Sequence, residues 1–152
     1  MSPLDIFQQA LDAVTQAFRD EDFDAYMALL DLPYLVQTGR ATHLITSADE
    51  MRPTFDTLLR SLKPRGITHY ERIARSADYV ARDRIEGWHR SHLIANGESL
   101  AYPQLSRHAL VRRGDRWLFS EAQYDMIEGA SWPLTEADLM GHVDALTRQE
   151  VQ

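Results

Sequence analysis

The sequence predicts a single α+β domain made of three helices, a four-stranded antiparallel run and a closing helix. Three observations lead there. Apolar residues recur at helical spacing as far as Leu62. After Gly66 the pattern changes to strand-length segments separated by turn residues. The length, 152 residues, is that of one ordinary domain, and the 44% apolar and 26% charged fractions are those of a globular chain.

The elements follow in order. Ser2-Pro3-Leu4-Asp5 is a helix start, with a capping serine, a proline in the first turn and an acid at the positive dipole end. Leu4, Phe7, Leu11, Val14 and Phe18 then form one apolar stripe. The acidic break Asp20-Glu21-Asp22 ends this helix, and Asp22 caps a shorter one carrying Phe23, Tyr26, Met27 and Leu30, which Pro33 stops. Tyr34 to Thr46 reads as a hairpin around Thr38-Gly39-Arg40, and Ser47-Ala48-Asp49-Glu50 is a capping box. It opens a third helix with Met51, Phe55, Leu58, Leu59 and Leu62 inward. Four strands are expected: Ile67 to Arg75, Tyr79 to Ile94, Leu105 to Arg113 and Arg116 to Ile127. Turns fall at Ser76-Ala77-Asp78, Asn96-Gly97 and Gly114-Asp115. Residues 129–152 form a linker and a last helix with Leu139, Val143 and Leu146 on one side, beyond a main domain of residues 1–128.

Composition also excludes function classes. The absence of cysteine removes disulfides, zinc fingers and thiol catalysis, and a net charge of −7 argues against nucleic acid or anionic membrane as partner. The start has no basic and apolar signal pattern, and no apolar run is long enough to span a bilayer, so a cytoplasmic protein is expected. There is no His-Glu-x-x-His, Walker loop, Gly-x-Gly-x-x-Gly or Gly-x-Ser-x-Gly sequence, so neither a metal nor a cofactor is expected.

The order of elements resembles the nuclear transport factor two-like superfamily, in particular its SnoaL-like branch. Three stretches carry the resemblance: Phe23-Asp24-Ala25-Tyr26 after the acidic break, the hairpin leading into Ser47-Ala48-Asp49-Glu50-Met51, and Gly114-Asp115-Arg116-Trp117-Leu118-Phe119. It implies a cone: a curved antiparallel sheet enclosing a pocket closed by the three N-terminal helices. Against the ketosteroid isomerases of that superfamily, the general-base aspartate falls near Gln37, the oxyanion tyrosine near Val14 and the proton-donating aspartate near Arg107. None of the three can do that work, so that mechanism is not expected.

A register follows from the Gly114-Asp115 turn. If Arg113 pairs with Arg116, Arg107 faces Ala122 and Leu105 faces Tyr124 on one surface; on the other, His108 faces Glu121 and Leu110 faces Phe119. The resemblance makes the first surface the pocket side. Glu86, Trp88, Arg90 and His92 share a face because they are two apart, and are assigned to the same side, although a bulge in their strand would reverse this. The expected ligand site is Trp88, Arg90, Arg107 and Tyr124, roofed by Tyr26 and Phe55, and suits a small hydrophobic or aromatic ligand, neutral or anionic. His92, oriented by Glu86 or Asp125, is the candidate proton-transfer group, though a lone strand histidine is more commonly structural.

The expected function is thus small-molecule binding with proton-transfer chemistry of the cyclase, isomerase or dehydratase type on a hydrophobic cyclic substrate. The alternative is a non-catalytic dimeric binding or accessory module. A homodimer is expected through the second surface, where Leu110, Trp117 and Phe119 stand amid polar residues. Pairing of His108 with Glu121 there would raise the histidine's pKa.

Overall fold

The computed structural model describes residues 1–37, 42–62, 69–99 and 104–124. Helix α1 (Pro3–Arg19) opens as its sequence dictates: the Ser2 hydroxyl accepts the Asp5 N–H at 3.1 Å, and the Asp5 carboxylate accepts the Ser2 N–H at 3.3 Å. Phe7, Leu11 and Val14 are buried along its inner stripe. Asp22 caps the five-residue α2 (Phe23–Met27) by accepting the Ala25 N–H at 3.0 Å.

The chain then enters β1 (Leu30–Gln37) earlier than the apolar spacing suggested. Pro33 lies inside this strand instead of stopping a helix. The β1 register against its neighbour shifts between Leu30 and Leu35, so the proline, which has no N–H, falls outside the paired positions. Strand β2 (Thr42–Ile45) returns antiparallel to β1. Helix α3 (Ala48–Leu62) is capped by Ser47, which accepts the Glu50 N–H at 3.4 Å. The Glu50 carboxylate reaches back to the N–H and hydroxyl of Thr46 at 3.1 and 2.8 Å.

The remaining strands are β3 (His69–Ala81), β4 (Arg84–Ala95), the short β5 (Glu98–Ser99), β6 (Gln104–Arg113) and β7 (Arg116–Tyr124). Their order is β2-β1-β7-β6-β4-β3, with β5 on β4. Because β1 runs parallel to β7, the curved sheet is mixed and not antiparallel throughout. The expected turn at Ser76-Ala77-Asp78 is also corrected: these residues continue β3, and the chain reverses at Arg82-Asp83. Ala77 and Tyr79 pair with Gly87 and Ile85, and two register shifts along β3 absorb the extra length. Ladder pairing there outweighs local turn propensity. The expected final helix with Leu139, Val143 and Leu146 lies outside the described residues.

The β6–β7 hairpin departs from a simple register. Pairing runs as expected from Arg113 opposite Arg116 to Leu110 opposite Phe119, then slips by one residue. Ala109 meets Glu121, His108 meets Ala122, Arg107 meets Gln123 and Ser106 meets Tyr124. Ser120 is the extra residue, a bulge that reverses the inward and outward alternation of β7 beyond it. Phe119, Ala122 and Tyr124 therefore share the helix-facing side with Leu110, His108 and Ser106. The surface expected to make a dimer is the core instead: Leu110, Phe119 and His108 are 0%, 3% and 7% exposed. Phe7 of α1 covers it, its ring centroid 6.4 Å from that of His108.

Phe7 is seated by a missing side chain. A Cβ on Gly87 of β4 would stand 2.7 Å from two atoms of the Phe7 ring and 2.9 Å from the Ser76 carbonyl oxygen. The contact of Phe7 with the sheet thus requires glycine at 87. Gly87→Ala is expected to lower the unfolding free energy by about 1–3 kcal/mol through overpacking. The double variant with Phe7→Leu should lose less than the sum of the two single changes. Additive losses in urea unfolding would contradict the contact.

Candidate functional site

Strand β4 alternates strictly. Ile85, Gly87, His89, Ser91, Leu93 and Ala95 are buried toward the helices, whereas Arg84, Glu86, Trp88, Arg90, His92 and Ile94 face the other side. Its pairing with β6 is continuous from Arg84 to Ser91, so no bulge exchanges the two sets. The assignment of Glu86, Trp88, Arg90 and His92 to the pocket side is therefore corrected. They stand on the outer surface, and Arg107 joins them there because it is the β6 partner of Trp88 and shares its side of the sheet. Asp125 lies outside the described residues.

On that outer surface the charges satisfy one another. Arg84 lies 3.4 Å from Glu86 and 3.2 Å from Glu121; Arg107 lies 3.2 Å from Glu86 and 3.6 Å from Glu121. Arg107 also donates to Gln123 at 3.1 Å. Two arginines and two glutamates thus form a closed alternating ring across β4, β6 and β7. Glu86 is occupied by this ring and is not positioned to orient His92 in a cavity.

The cavity is on the helix side and holds about 90 Å³. Leu11, Val14 and Phe18 of α1, Tyr26 of α2, and Met51, Thr54, Phe55 and Leu58 of α3 form its roof. The roof is an aromatic stack: Phe18 and Phe55 lie 4.6 Å apart between centroids, and Tyr26 is 5.0 and 5.5 Å from them. Leu30 and Tyr34 from β1 and Phe119 and Tyr124 from β7 close one wall. Tyr70 and Arg72 from β3 close the other, and His89, Ser91, Ser106 and His108 form the floor. Of the residues expected to touch a ligand, Tyr26, Phe55 and Tyr124 line this cavity, while Trp88, Arg90 and Arg107 do not.

Of the polar groups of the cavity, Arg72, His89, Ser91 and Ser106 were not assigned to a ligand site from sequence, and His108 was expected on the opposite surface. The rings of His89 and His108 stack at 4.8 Å, and His108 stands edge-on to Phe119 and Tyr124. Both nitrogens of His89 and Nδ1 of His108 are buried with no hydrogen-bond partner in good geometry. Burial, the neighbouring imidazole and the Arg72 guanidinium hold the His89 pKa down to about 2. Burial and Arg72 hold that of His108 down to about 3, the reverse of the expected rise. Burial pushes the Tyr124 phenol up to about 12, and Tyr26 and Tyr34 also lie above their ordinary range. At neutral pH the described lining thus holds Tyr26, Tyr34 and Tyr124 as neutral phenols, His89 and His108 as neutral imidazoles, and one cation.

That cation is Arg72, 8% exposed. It donates to the Thr15 hydroxyl at 3.0 Å, and its Cζ lies 4.0 Å from the Tyr70 ring centroid and 5.3 Å from that of Phe18. Gln8 of α1 fastens the strand that carries it. The Gln8 amide donates to the Arg72 carbonyl at 2.9 Å and accepts the Ala74 N–H at 2.7 Å, filling the free edge of β3. The signal for these residues was the parity of β4. The alternative set, with Arg84, Glu86, Arg90 and His92, is too charged to be buried cheaply, whereas Ile85, Gly87, Ser91, Leu93 and Ala95 suit an interior.

The two histidines predict an acid sensitivity. The unfolded chain takes up their protons near the ordinary value of 6.5, and the folded chain does so only near 2 and 3. Between those limits the unfolded state holds more protons, so stability should fall as pH drops from about 6.5 toward 3. Each histidine adds at most about 1.4 kcal/mol per pH unit to that slope. His108→Asn should flatten the dependence of urea midpoints between pH 7 and pH 4. An unchanged slope would exclude the contribution.

No protein-family model matches this chain, and no curated protein matches it in sequence. Solved structures do match. An NTF2-like protein of unknown function from Shewanella oneidensis MR-1 superposes with a TM-score of 0.56 at 14% identity, over 81% of this chain and 98% of that one. An NTF2-like protein with a cystatin-like fold from Novosphingobium aromaticivorans gives 0.58 at 15% identity, over 84% and 83%. A protein of unknown function with a cystatin-like fold from Nostoc punctiforme gives 0.61 at 11% identity, over 82% and 90%. At such identities the likeness concerns architecture and not activity. The chain has the NTF2-like, cystatin-like α+β fold.

Proposed function

We propose that this protein is a SnoaL-like small-molecule-binding protein whose cavity takes a compact ring-bearing ligand without proton-transfer chemistry. The observation that carries the reading is the chemistry of the lining. Tyr26, Phe55, Phe119 and Tyr124 offer aromatic surface, while no carboxylate lines the cavity among the described residues. An effective general acid or base has a pKa near the working pH. The imidazoles at about 2 and 3 and the phenol at about 12 are far from it. The outward placement of His92 and Glu86 supports the same choice of binding over catalysis.

Size limits the ligand. A volume of about 90 Å³ corresponds to roughly six to nine water-sized spheres, well below the several hundred Å³ of pockets for drug-sized molecules. A single six-membered ring with one or two small substituents fits this scale.

Phenol, a neutral single ring, is the direct probe. Added to the protein it should shift backbone amide resonances of Ser91, Ser106, His108 and Phe119. Ser106→Leu, which fills the cavity, should weaken its binding by about tenfold or more, and Arg107→Leu, a change on the outer surface, should leave it unaltered. Shifts confined to the outer surface, or equal affinity in Ser106→Leu, would overturn the reading.

A further inference from the structure

Inside the cavity, Arg72 has more hydrogen-bonding capacity than its surroundings use. A guanidinium presents five N–H donors in a planar fork. One nitrogen donates to the Thr15 hydroxyl, and the Tyr70 and Phe18 rings stabilise the charge through their faces. Those rings accept none of the remaining N–H groups in an ordinary hydrogen bond. Among the described residues no carboxylate pairs with Arg72, which contrasts with the closed ring around Arg84 and Arg107 on the other side of the same sheet. A buried charge without a counterion is costly, and the deficit is strongest for an anion that can engage the fork edge-on.

A second, independent observation points into the same space. His89 contributes two buried nitrogens and His108 one that have no partner in good geometry, the backbone of Arg90 and of Glu121 offering only marginal contacts. A neutral imidazole has one N–H donor and one acceptor lone pair, so this floor asks for a ligand with a hydroxyl or similar group able both to give and to accept. Arg72 is opposite Ser91, the inward residue of β4 next after His89, so the cation and the imidazoles border one volume.

We infer that the ligand is a single-ring carboxylate, held by its carboxylate on Arg72, with a ring hydroxyl meeting the His89–His108 floor and the ring under Phe55 and Tyr26. This rests on the cavity being a ligand site and adds the chemical class. Fork-to-fork geometry matches a carboxylate better than a halide or a neutral amide. The stacked imidazoles separate a hydroxybenzoate from a plain benzoate.

The test compares benzoate, 4-hydroxybenzoate and benzamide by calorimetry and by the Arg side-chain ¹⁵N resonance of the intact protein. Benzoate should bind about tenfold or more tighter than benzamide, and 4-hydroxybenzoate tighter still. The Arg72 Nε signal should move with the carboxylates only. In Arg72→Met the preference over benzamide should vanish while phenol binding persists. The unliganded variant should unfold at the same or a higher urea concentration, because it no longer buries an unpaired charge. Equal affinity of the wild-type protein for benzoate and benzamide would overturn the inference even though phenol still binds. A preference for benzoate that survives in Arg72→Met would overturn it as well. If no ring compound binds at all, the underlying ligand-site reading fails instead.

Discussion

Between Leu110 and Ala109 on β6 the chain advances one position, and between Phe119 and Glu121 on β7 it advances two. The whole interior depends on that mismatch. Side chains alternate along a strand, so Phe119 and Tyr124, five residues apart, would face opposite sides of a regular sheet. The bulge at Ser120 lets both line the cavity. It also sends Glu121 to the outer surface opposite Ala109, where it can close the ring with Arg84 and Arg107. Without the extra residue, either the aromatic wall or the charge ring would be lost. The bulge is a structural requirement of a sheet that must be apolar on one side and ion-paired on the other.

The two sides handle positive charge differently. Outside, Arg84, Glu86, Arg107 and Glu121 alternate, each partly hydrated and each with an opposite charge within 4 Å. Such half-exposed pairs contribute modestly to stability and chiefly limit which surfaces can pack together. Inside, Arg72 stands among aromatic rings and two imidazoles that its own field helps to keep neutral. Gln8 clamps the backbone of its strand, and the guanidinium itself is held by the Thr15 hydroxyl and by ring packing. A rigidly placed cation in a small aromatic cavity is suited to recognition. A proton-transfer site needs groups that exchange protons near neutrality, and this lining keeps its phenols and imidazoles away from that range.

Fold similarity alone would not have led to this distinction. The Shewanella, Novosphingobium and Nostoc proteins share the chain's architecture at 11–15% identity, and at such identity the likeness is one of fold alone. What the cavity binds follows from its particular side chains. The relevant ones come from six elements that are far apart in the chain: Phe18 from α1, Phe55 from α3, Arg72 from β3, His89 from β4, His108 from β6 and Tyr124 from β7.

Local chemistry determined much of the protein. Ser2 and Asp5 define the start of α1, Asp22 that of α2, and Ser47 with Glu50 that of α3, because a cap bonds groups three residues away. The turn at Gly114, with φ of +65°, and that at Asn96-Gly97, with φ of +53° and +79°, follow from residues that tolerate the left-handed region. Tyr26 and Phe55 were legible as roof residues from helical spacing. Three features were decided only by tertiary structure. Pro33 joined a strand and Ser76-Ala77-Asp78 stayed in one because pairing partners distant in the chain overrode local preference. The Ser120 bulge left no mark in composition, yet it inverted every residue beyond it. Arg72, His89 and His108 became one site because β3, β4 and β6 lie side by side, and sequence spacing contains no information on which strands are neighbours. Caps and turns are set over three or four residues, whereas register is a collective property of the sheet.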